Sequence, residues 1–321
     1  MSAIDDAATL VRVANRIAVA THVAPDPDAI GSLLAIGHAL RLLGKEALLL
    51  CDDPVPEKLR FLPGSEQIRS SIGPEFSPNL FIGVDASDSE RLGSVAQGLL
   101  DGRIPILNID HHVTNLNFGT VNLVVPESAA TCEAMLLLFH TLNIPLTVEI
   151  STCLMAGLVG DTRSFSTSST TAHTLEAAAR LVSVGADIAT ITEIVFNQRS
   201  LNTLRLWGIG LSRLVLDGDI LWTAIRLADR QTASISDSHD SGLANILLSA
   251  SEANIAVVFT EQPNNQIDVS FRARPGHDVA KTALALGGGG HALAAGCKLS
   301  EGINDATKIT LDQLKLQRAS G

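Results

Sequence analysis

The segment Ile104–His112 (IPILNIDHH) decides how the first half of this chain folds. Its apolar run has the length and composition of a short buried strand, and it ends on an aspartate followed by two histidines. Two similar runs come earlier, Arg16–Thr21 before His22 and Leu80–Val84 before Asp85. Because parallel strands direct their carboxyl ends to one edge of a sheet, the polar residues after these runs are expected to meet there.

Helix-like segments alternate with these strands. Asp28–Leu43 has apolar residues at helical spacing and stops before Gly44, a residue type that commonly ends helices. Ala47–Cys51 again has the pattern of a strand, and helical patterns follow at Ala129–Leu142 and Glu149–Leu158. This alternation predicts an N-terminal α/β domain with a mostly parallel sheet.

The second half of the chain changes character. Strand-like runs occupy Ile220–Leu227, Ile255–Glu261 and Gln266–Arg272, and helical stretches lie near Leu243 and Val279. This pattern predicts a smaller C-terminal α/β domain.

The two predicted domains are joined by a helical connector. We expect a first domain over residues 1–190, the connector over 191–212 and a second domain over 213–321, because the region 171–211 is largely helical in pattern. The polar segment 231–240 is expected to be a loop inside the second domain. An active site is expected in the cleft between the domains.

Composition narrows the classes of function. The chain has 321 residues, of which 46% are hydrophobic and 18% charged, as in ordinary globular proteins. A net charge of −11, with 3% aromatic residues and no Tyr, argues against a long nucleic-acid groove. A small phosphorylated substrate stays compatible, because bound divalent cations would reverse the local charge.

The predicted location is the cytoplasm, without a membrane partner. No apolar run approaches the roughly 18 residues of a membrane span. Asp5 and Asp6 stand where a secretory signal would carry basic residues, and the four cysteines form no CxxC pair. A homodimer is one option that the sequence leaves open.

The polar residues at the strand ends suit a metal site. Carboxylates and imidazoles without a thiolate are typical ligands of Mn²⁺ or Mg²⁺. Each residue alone has a simpler explanation, since an aspartate after a strand usually caps a helix or forms a turn, and Asp28 could cap the helix that it opens. Capping alone does not explain the whole set, which comprises His22, Asp26, Asp28, Asp85, Asp110, His111, His112 and Asp161.

This ordered set resembles the DHH phosphoesterase family, named for its Asp-His-His motif, across residues 22–165. The family includes RecJ-type exonucleases, family II pyrophosphatases and small nano-RNase/pAp phosphatases. Its motifs are highly specific in combination and weak individually. The resemblance implies two Mn²⁺ ions, with Mg²⁺ or Co²⁺ as substitutes, that activate water for attack on phosphorus.

The resemblance also implies individual roles. Asp85, Asp110 and His112 would be the catalytic group, with Asp110 orienting His111 and with His112 facing the substrate phosphate. Arg163 stands where relatives often have a small residue, and it is either solvated or a phosphate ligand. One ion would be held by His22, Asp26 and Asp85, and the other by Asp28, Asp85, His111 and Asp161.

A glycine run in the second half, Gly287–Gly290 followed by His291, resembles the GGGH motif of the DHH-associated C-terminal domain. A flexible turn would explain one or two glycines but not four followed by a histidine. Ser270-Phe-Arg272 matches the Ser-x-Arg of that domain, and Arg274 either assists or lies at a solvated strand end. The resemblance implies that a terminal phosphate or nucleotide is bound by Arg272, His291 and the backbone of Gly288, Gly289 and Gly290.

The implied activity is phosphoester hydrolysis in small nucleotides. Short oligoribonucleotides (nanoRNA) would give mononucleotides, and 3′-phosphoadenosine 5′-phosphate (pAp) would give AMP and phosphate. Two alternatives stay open: a phosphodiesterase for c-di-AMP or pApA, and a regulatory module that binds nucleotides without catalysis. The complete set of predicted ligands argues against the regulatory module.

Overall fold

The computed structural model describes residues 2–235 and 242–319 of the chain. The chain divides into two compact units, Met1–Gln198 and Arg199–Gly321, and this division falls inside the range 191–212 expected to be a connector. Residues 236–240 of the expected polar loop lie outside the described residues. Within the described residues, no helix is long and apolar enough to cross a membrane.

The first unit alternates helices and strands. In chain order it contains α1 (Ala3–Val13), β1 (Arg16–Ala20), α2 (Pro27–Leu42), β2 (Glu46–Leu50), β3 (Leu80–Val84), β4 (Ile106–Asp110), β5 (Val121–Val124), α3 (Thr131–Thr141), α4 (Val148–Asp161), α5 (Ala172–Val184) and α6 (Ile188–Thr192). Short 3₁₀ segments lie at Glu57–Leu59, Ser65–Gln67, Glu90–Leu92 and Ser94–Leu99, and a π-helical turn lies at Glu193–Asn197.

The five strands of this unit form one parallel sheet in the order β2-β1-β3-β4-β5. After β1 the chain forms β2 on one side of β1, and it then returns to form β3 on the other side. A topological switch point therefore lies between β1 and β3, which is where open α/β sheets bind ligands. The side chains that follow β1, β3 and β4 share that edge.

Helices α2 and α4 approach each other closely because glycines lie between them. A Cβ atom added to Gly31 would overlap the carbonyl oxygen of Cys153, and one added to Gly157 would overlap Cys132 and Asp28. The absence of side chains at Gly31 and Gly157 lets the two helices pack backbone to backbone. This packing sets the distance between Asp28 on α2 and Asp161 at the end of α4.

The second unit contains a six-stranded mixed sheet in the order β10-β11-β9-β8-β7-β6, in which β7 and β8 are parallel and the other pairs antiparallel. The prediction of two α/β domains is confirmed. The elements are α7 (Leu201–Leu211), β6 (Val215–Asp217), β7 (Ile220–Ile225), α8 (Leu227–Thr232), α9 (Leu243–Leu247), β8 (Ile255–Glu261), β9 (Ile267–Ala273), α10 (Ala280–Ala285), β10 (Gly289–His291), β11 (Ala294–Leu299) and α11 (Ile303–Ala319).

Candidate metal centre

The structure brings the acidic and histidine residues of the first unit to the carboxyl edge of its sheet. His22 and Asp26 follow β1, Asp85 follows β3, and His111 follows β4. Asp28 lies in the first turn of α2, and Asp161 is the last residue of α4. The side chains of His22, Asp28 and Asp85 are buried, whereas the side chain of Asp26 is 49% exposed and lies on the open side of the cluster.

A first group consists of His22, Asp26 and Asp85, each of which offers a ligand atom within 4.8 Å of the others. Nε2 of His22 lies 3.5 Å from Oδ2 of Asp85 and 3.9 Å from Oδ1 of Asp26. Nδ1 of His22 is 2.7 Å from the carbonyl oxygen of Val23 and donates to it. Its Nε2 is therefore left with a lone pair that faces two carboxylates, as in a metal-binding histidine.

A second group consists of Asp28, His111 and Asp161, again with ligand atoms within 4.8 Å of one another. Nε2 of His111 lies 3.1 Å from Oδ2 of Asp161 and 4.0 Å from Oδ2 of Asp28. It is buried and makes no hydrogen bond, while Nδ1 is 3.2 Å from the carbonyl oxygen of Ser128. A buried ring nitrogen without a hydrogen bond, surrounded by carboxylates, fits a metal ligand.

Asp85 contacts both groups. Its Oδ2 faces His22, whereas its Oδ1 lies 3.9 Å from Nε2 of His111. Its backbone has a φ of 57°, in the left-handed region that costs a non-glycine residue about 1–2 kcal/mol. Strain of this kind is typical of functional positions, and here it directs a buried carboxylate between the two groups.

The two aspartates before and inside α2 cap different helices. Oδ1 of Asp26 accepts hydrogen bonds from the N–H groups of Asp28 and Ala29, so Asp26 is the N-cap of α2. Asp28 instead accepts from the N–H groups of Thr131 (2.6 Å) and Cys132 (3.0 Å) at the start of α3. The simpler explanation, that Asp28 caps its own helix, is therefore wrong.

Asp110 orients a different histidine from the one expected. Its Oδ1 lies 2.7 Å from Nδ1 of His112, and it contacts His111 only through the backbone N–H, at 2.8 Å. The expectation that Asp110 orients the ring of His111 is thus wrong; the carbonyl of Ser128 does so. Hydrogen bonding to Asp110 raises the pKa of His112.

Crowded carboxylates dominate the electrostatics of the cluster. Burial and the neighbouring carboxylates raise the pKa of Asp28 and of Asp161. Burial by itself would lower the pKa of His111, but Asp161, Asp28 and Asp85 raise it to about 10. Asp161 also lies at the negative end of the α4 dipole, which disfavours a carboxylate. Divalent cations would relieve these costs, and the oxygen and imidazole donors suit Mn²⁺ or Mg²⁺.

Metal binding should therefore release protons. Since the carboxylates of Asp161, Asp28 and Asp85 raise the pKa of His111 to about 10, we expect this histidine to be protonated at pH 7 in the metal-free protein. A histidine that binds a metal must be deprotonated at the binding nitrogen. We therefore expect metal binding to release at least about one proton per chain, and the affinity for the metal to rise with pH. Calorimetric titration with Mn²⁺ at pH 7 in two buffers of different ionisation enthalpy measures this number. Equal heats in both buffers would contradict the role of His111.

The predicted phosphate-binding residues of the second unit share one face of its sheet. In the strand register, Arg272 of β9 pairs with Ala294 of β11, which pairs with His291 of β10. Directly paired residues project to the same face, so Arg272 and His291 are separated by two strand spacings, about 10 Å. Nε of Arg272 donates to Oδ1 of Asn245 at 3.1 Å.

The glycine run passes from a turn into a strand: Gly287 lies in the turn after α10, with a φ of 79°, and Gly289 is the first residue of β10. Gly289 and Gly290 begin β10 beside β11, where a Cβ on Gly288 or Gly290 would overlap β11. Gly290 also has a φ of 136°, whereas a Cβ on Gly289 would meet nothing within 4 Å. Gly288 and Gly290 are thus explained by strand packing, whereas Gly287 and Gly289 leave open space beside the backbone.

Arg274 and Arg163, whose roles the sequence leaves open, lie in different environments. Nη2 of Arg274 donates to the carbonyl oxygens of Leu248 (3.2 Å) and Ala250 (3.0 Å), so Arg274 holds the segment after α9 and is not a solvated strand end. Arg163 is exposed, with a φ of 47° in the turn after α4.

Sequence reasoning missed three residues that support the cluster. Ser128 fixes the ring of His111, Thr131 contacts two aspartates, and Nδ2 of Asn115 donates to Oδ2 of Asp110 at 2.5 Å. A serine just before a predicted helix signals a cap, which could have singled out Ser128 before the helix predicted over Ala129–Leu142, but Thr131 lies inside that helix and carries no such signal. Their partners, however, lie on elements distant in sequence.

Comparison with known proteins agrees with this arrangement. Residues 16–158 match the DHH family, N-terminal domain, and residues 232–315 match the DHHA1 domain. The bifunctional oligoribonuclease and PAP phosphatase NrnA of Thermus thermophilus is 35% identical over 295 residues, which cover 91% of this chain and 87% of that protein. The cyclic-di-AMP phosphodiesterase PdeA of Listeria monocytogenes is 25% identical over 91% of this chain but 46% of its own length.

A solved structure shares the fold. The exopolyphosphatase-related protein of Bacteroides fragilis has a TM-score of 0.90 and 23% identity, covering 98% of this chain and 95% of that one. The identity to the Thermus protein extends through both domains. The chain therefore belongs to the family of bifunctional oligoribonuclease and PAP phosphatase proteins, with a DHH domain followed by a DHHA1 domain.

Proposed function

We propose that this protein is a metal-dependent phosphoesterase of small nucleotides, which hydrolyses nanoRNA to mononucleotides and pAp to AMP and phosphate. The observation that carries the proposal is the meeting of two ligand groups at Asp85. The name of the Thermus relative supports the choice of substrates.

We further propose that two Mn²⁺ ions, or Mg²⁺ or Co²⁺ in their place, bind at these groups. His22, Asp26 and Asp85 would hold one, and Asp28, Asp85, His111 and Asp161 the other. When bound, the ions would supply Lewis acidity and an activated water for attack on phosphorus. The location in the cytoplasm and a homodimer remain predictions.

His112 is proposed to act on the leaving group. Its Nδ1 is held by Asp110, and Asn115 holds the other oxygen of Asp110. The ring is 37% exposed and is left with Nε2 to face the substrate. In pAp hydrolysis, water adds to the 3′ phosphorus, the P–O3′ bond breaks, and Nε2 of His112 can donate a proton to the departing oxygen.

The proposal is tested by offering several substrates to one preparation. Release of phosphate or mononucleotide from pAp, short RNA, pApA and c-di-AMP is measured side by side with Mn²⁺. We expect turnover of pAp and short RNA to exceed that of c-di-AMP. Faster turnover of c-di-AMP would favour the activity named for the Listeria relative, and turnover of none of them, with metal bound, would refute the enzyme.

Arg272 is proposed to bind the substrate's terminal phosphate together with His291 and the backbone at Gly289. A hydrogen bond to a charged group contributes about 1.5–3 kcal/mol, so we expect Arg272→Gln to raise the KM for pAp about 10- to 150-fold. The affinity for Mn²⁺ should not change. Lys298→Gln alters an exposed cation of the same sheet and is the control. Equal loss of substrate and metal affinity in Arg272→Gln would contradict this role.

A further inference from the structure

Thr131 joins two of the carboxylates in the metal centre. It is the first residue of α3 and is fully buried. Its Oγ1 donates to Oδ1 of Asp85 at 2.8 Å, and its backbone N–H donates to Oδ2 of Asp28 at 2.6 Å. One residue thus holds a carboxylate from the end of β3 and another from α2.

The hydroxyl contact restricts how Asp85 can turn. The terminal torsion of an aspartate is broad and roughly two-fold, so a carboxylate without a fixed donor can exchange its two oxygens between environments. With Oδ1 held by Thr131, Oδ2 is the oxygen that faces His22 at 3.5 Å. The hydroxyl therefore fixes which oxygen of Asp85 serves each ligand group.

The first two residues of α3 donate hydrogen bonds to the carboxylates of Asp28 and Asp85. The N-cap residue Ala130 has no side-chain hydrogen-bonding group, and Asp28 takes the N–H groups of Thr131 and Cys132 instead. The positive end of the helix dipole also faces these carboxylates. These contacts offset part of the repulsion between Asp28 and Asp85 in the metal-free protein.

We propose that Thr131 is a positioning residue of the metal centre, whose hydroxyl holds the shared carboxylate of Asp85 in the orientation that binds two ions. The inference rests on the metal-dependent function proposed above. It assigns no contact between Thr131 and a metal or substrate; the residue acts through Asp85.

The test compares Thr131→Val, which keeps the side-chain shape, with Thr131→Ser, which keeps the hydroxyl. Free Mn²⁺ is followed by its electron paramagnetic resonance signal during titration of metal-free protein. Loss of an outer contact to a ligand typically weakens metal affinity about 10- to 100-fold, and we expect this for at least one ion in Thr131→Val. Thr131→Ser should bind both ions almost as tightly as the unaltered protein.

The matched control is Thr223→Val in the second unit. Thr223 is also fully buried, and its Oγ1 donates to the carbonyl oxygen of Gly210 at 2.7 Å. Its replacement should lower the thermal midpoint without changing Mn²⁺ affinity. If Thr131→Val does not fold, Thr131→Ala removes the same hydroxyl without adding bulk.

Three results would overturn the inference. These are native affinity for both ions in Thr131→Val, failure of Thr131→Ser to restore binding, and an equal loss of affinity in Thr223→Val. In each case the unaltered protein could still hydrolyse pAp, so the proposed function would stand. If the unaltered protein bound none of Mn²⁺, Mg²⁺ and Co²⁺, both proposals would fail.

Discussion

Asp85→Asn is expected to abolish turnover of every substrate. Asp85 is the residue that contacts both ligand groups, and its replacement removes a charge that two cations would share. The transition-state stabilisation from a Lewis acid amounts to several kcal/mol, which corresponds to a loss in kcat on the order of 10³-fold or more. Phosphate release from pAp and mononucleotide release from short RNA measure the effect.

The same variant should also be less stable without metal. Although burial raises the pKa of Asp85, the contact with His22 and the charges of His111 and His112 lower it below its usual value, so at pH 7 this carboxylate stabilises the metal-free fold even though it raises the pKa of Asp28. We expect the metal-free thermal midpoint of Asp85→Asn to lie below that of the unaltered protein. Mn²⁺ should stabilise the unaltered protein, by about 2.7 kcal/mol at 100 times its dissociation constant, and have little effect on the variant.

Asp312→Asn provides the control, since Asp312 is an exposed aspartate of α11 in the other unit. It should retain both activity and stabilisation by Mn²⁺. If Asp85→Asn kept more than a small fraction of native turnover, Asp85 could not be the carboxylate that both ions share.

Gly157→Ala should weaken both the fold and the metal centre. The added methyl would overlap Cys132 and the Oδ1 atom of Asp28, which lie against α4 at this point. Overpacking of a buried contact typically costs about 1–3 kcal/mol in the free energy of unfolding. Because one of the overlapping atoms is a predicted metal ligand, Mn²⁺ affinity should fall as well.

Gly208→Ala separates packing from helix propensity. Gly208 lies inside α7, and a Cβ there would meet nothing within 4 Å. The free energy of unfolding should rise by about 0.5–1 kcal/mol, because alanine loses less conformational freedom than glycine in a helix. Urea denaturation with and without Mn²⁺ measures both variants. A Gly157→Ala protein as stable as Gly208→Ala would show that the close approach of α2 and α4 is not required.

Short apolar runs were sufficient to predict much of the fold. Leu80–Val84 and Ile255–Glu261 form strands with the predicted bounds, because both are buried and flanked by polar residues. The meeting of Asp85 with the residues after β1 and β4 follows from parallel strands sharing one edge. Local periodicity thus placed most of the cluster before any tertiary contact was known.

Elements with weak periodicity were missed. β5 is only four residues long, and β10 consists of glycines and a histidine, which strand propensities disfavour. Pairing with β4 and β11 stabilises them, and a single sequence does not display such pairing. The predicted strand Ile220–Leu227 runs too far, since Leu227 begins α8.

The contacts that support the metal centre could not be predicted from the sequence for a related reason. Asp28 caps α3 from a position 103 residues away, and Thr131 reaches Asp85 across 46 residues. Helix-capping rules consider only neighbours in sequence, so they assigned Asp28 to α2. Similarly, Asp110 could not be assigned to the ring of His112 rather than His111 without the turn that follows β4.

Titration of metal-free protein with Mn²⁺, while bound ions and pAp hydrolysis are measured together, tests the two-ion centre most directly. We expect two ions to bind per chain and hydrolysis to appear as the second one binds. Full hydrolysis of pAp by protein that is free of metal would contradict a metal centre at Asp85, and so would two bound ions without hydrolysis of any substrate.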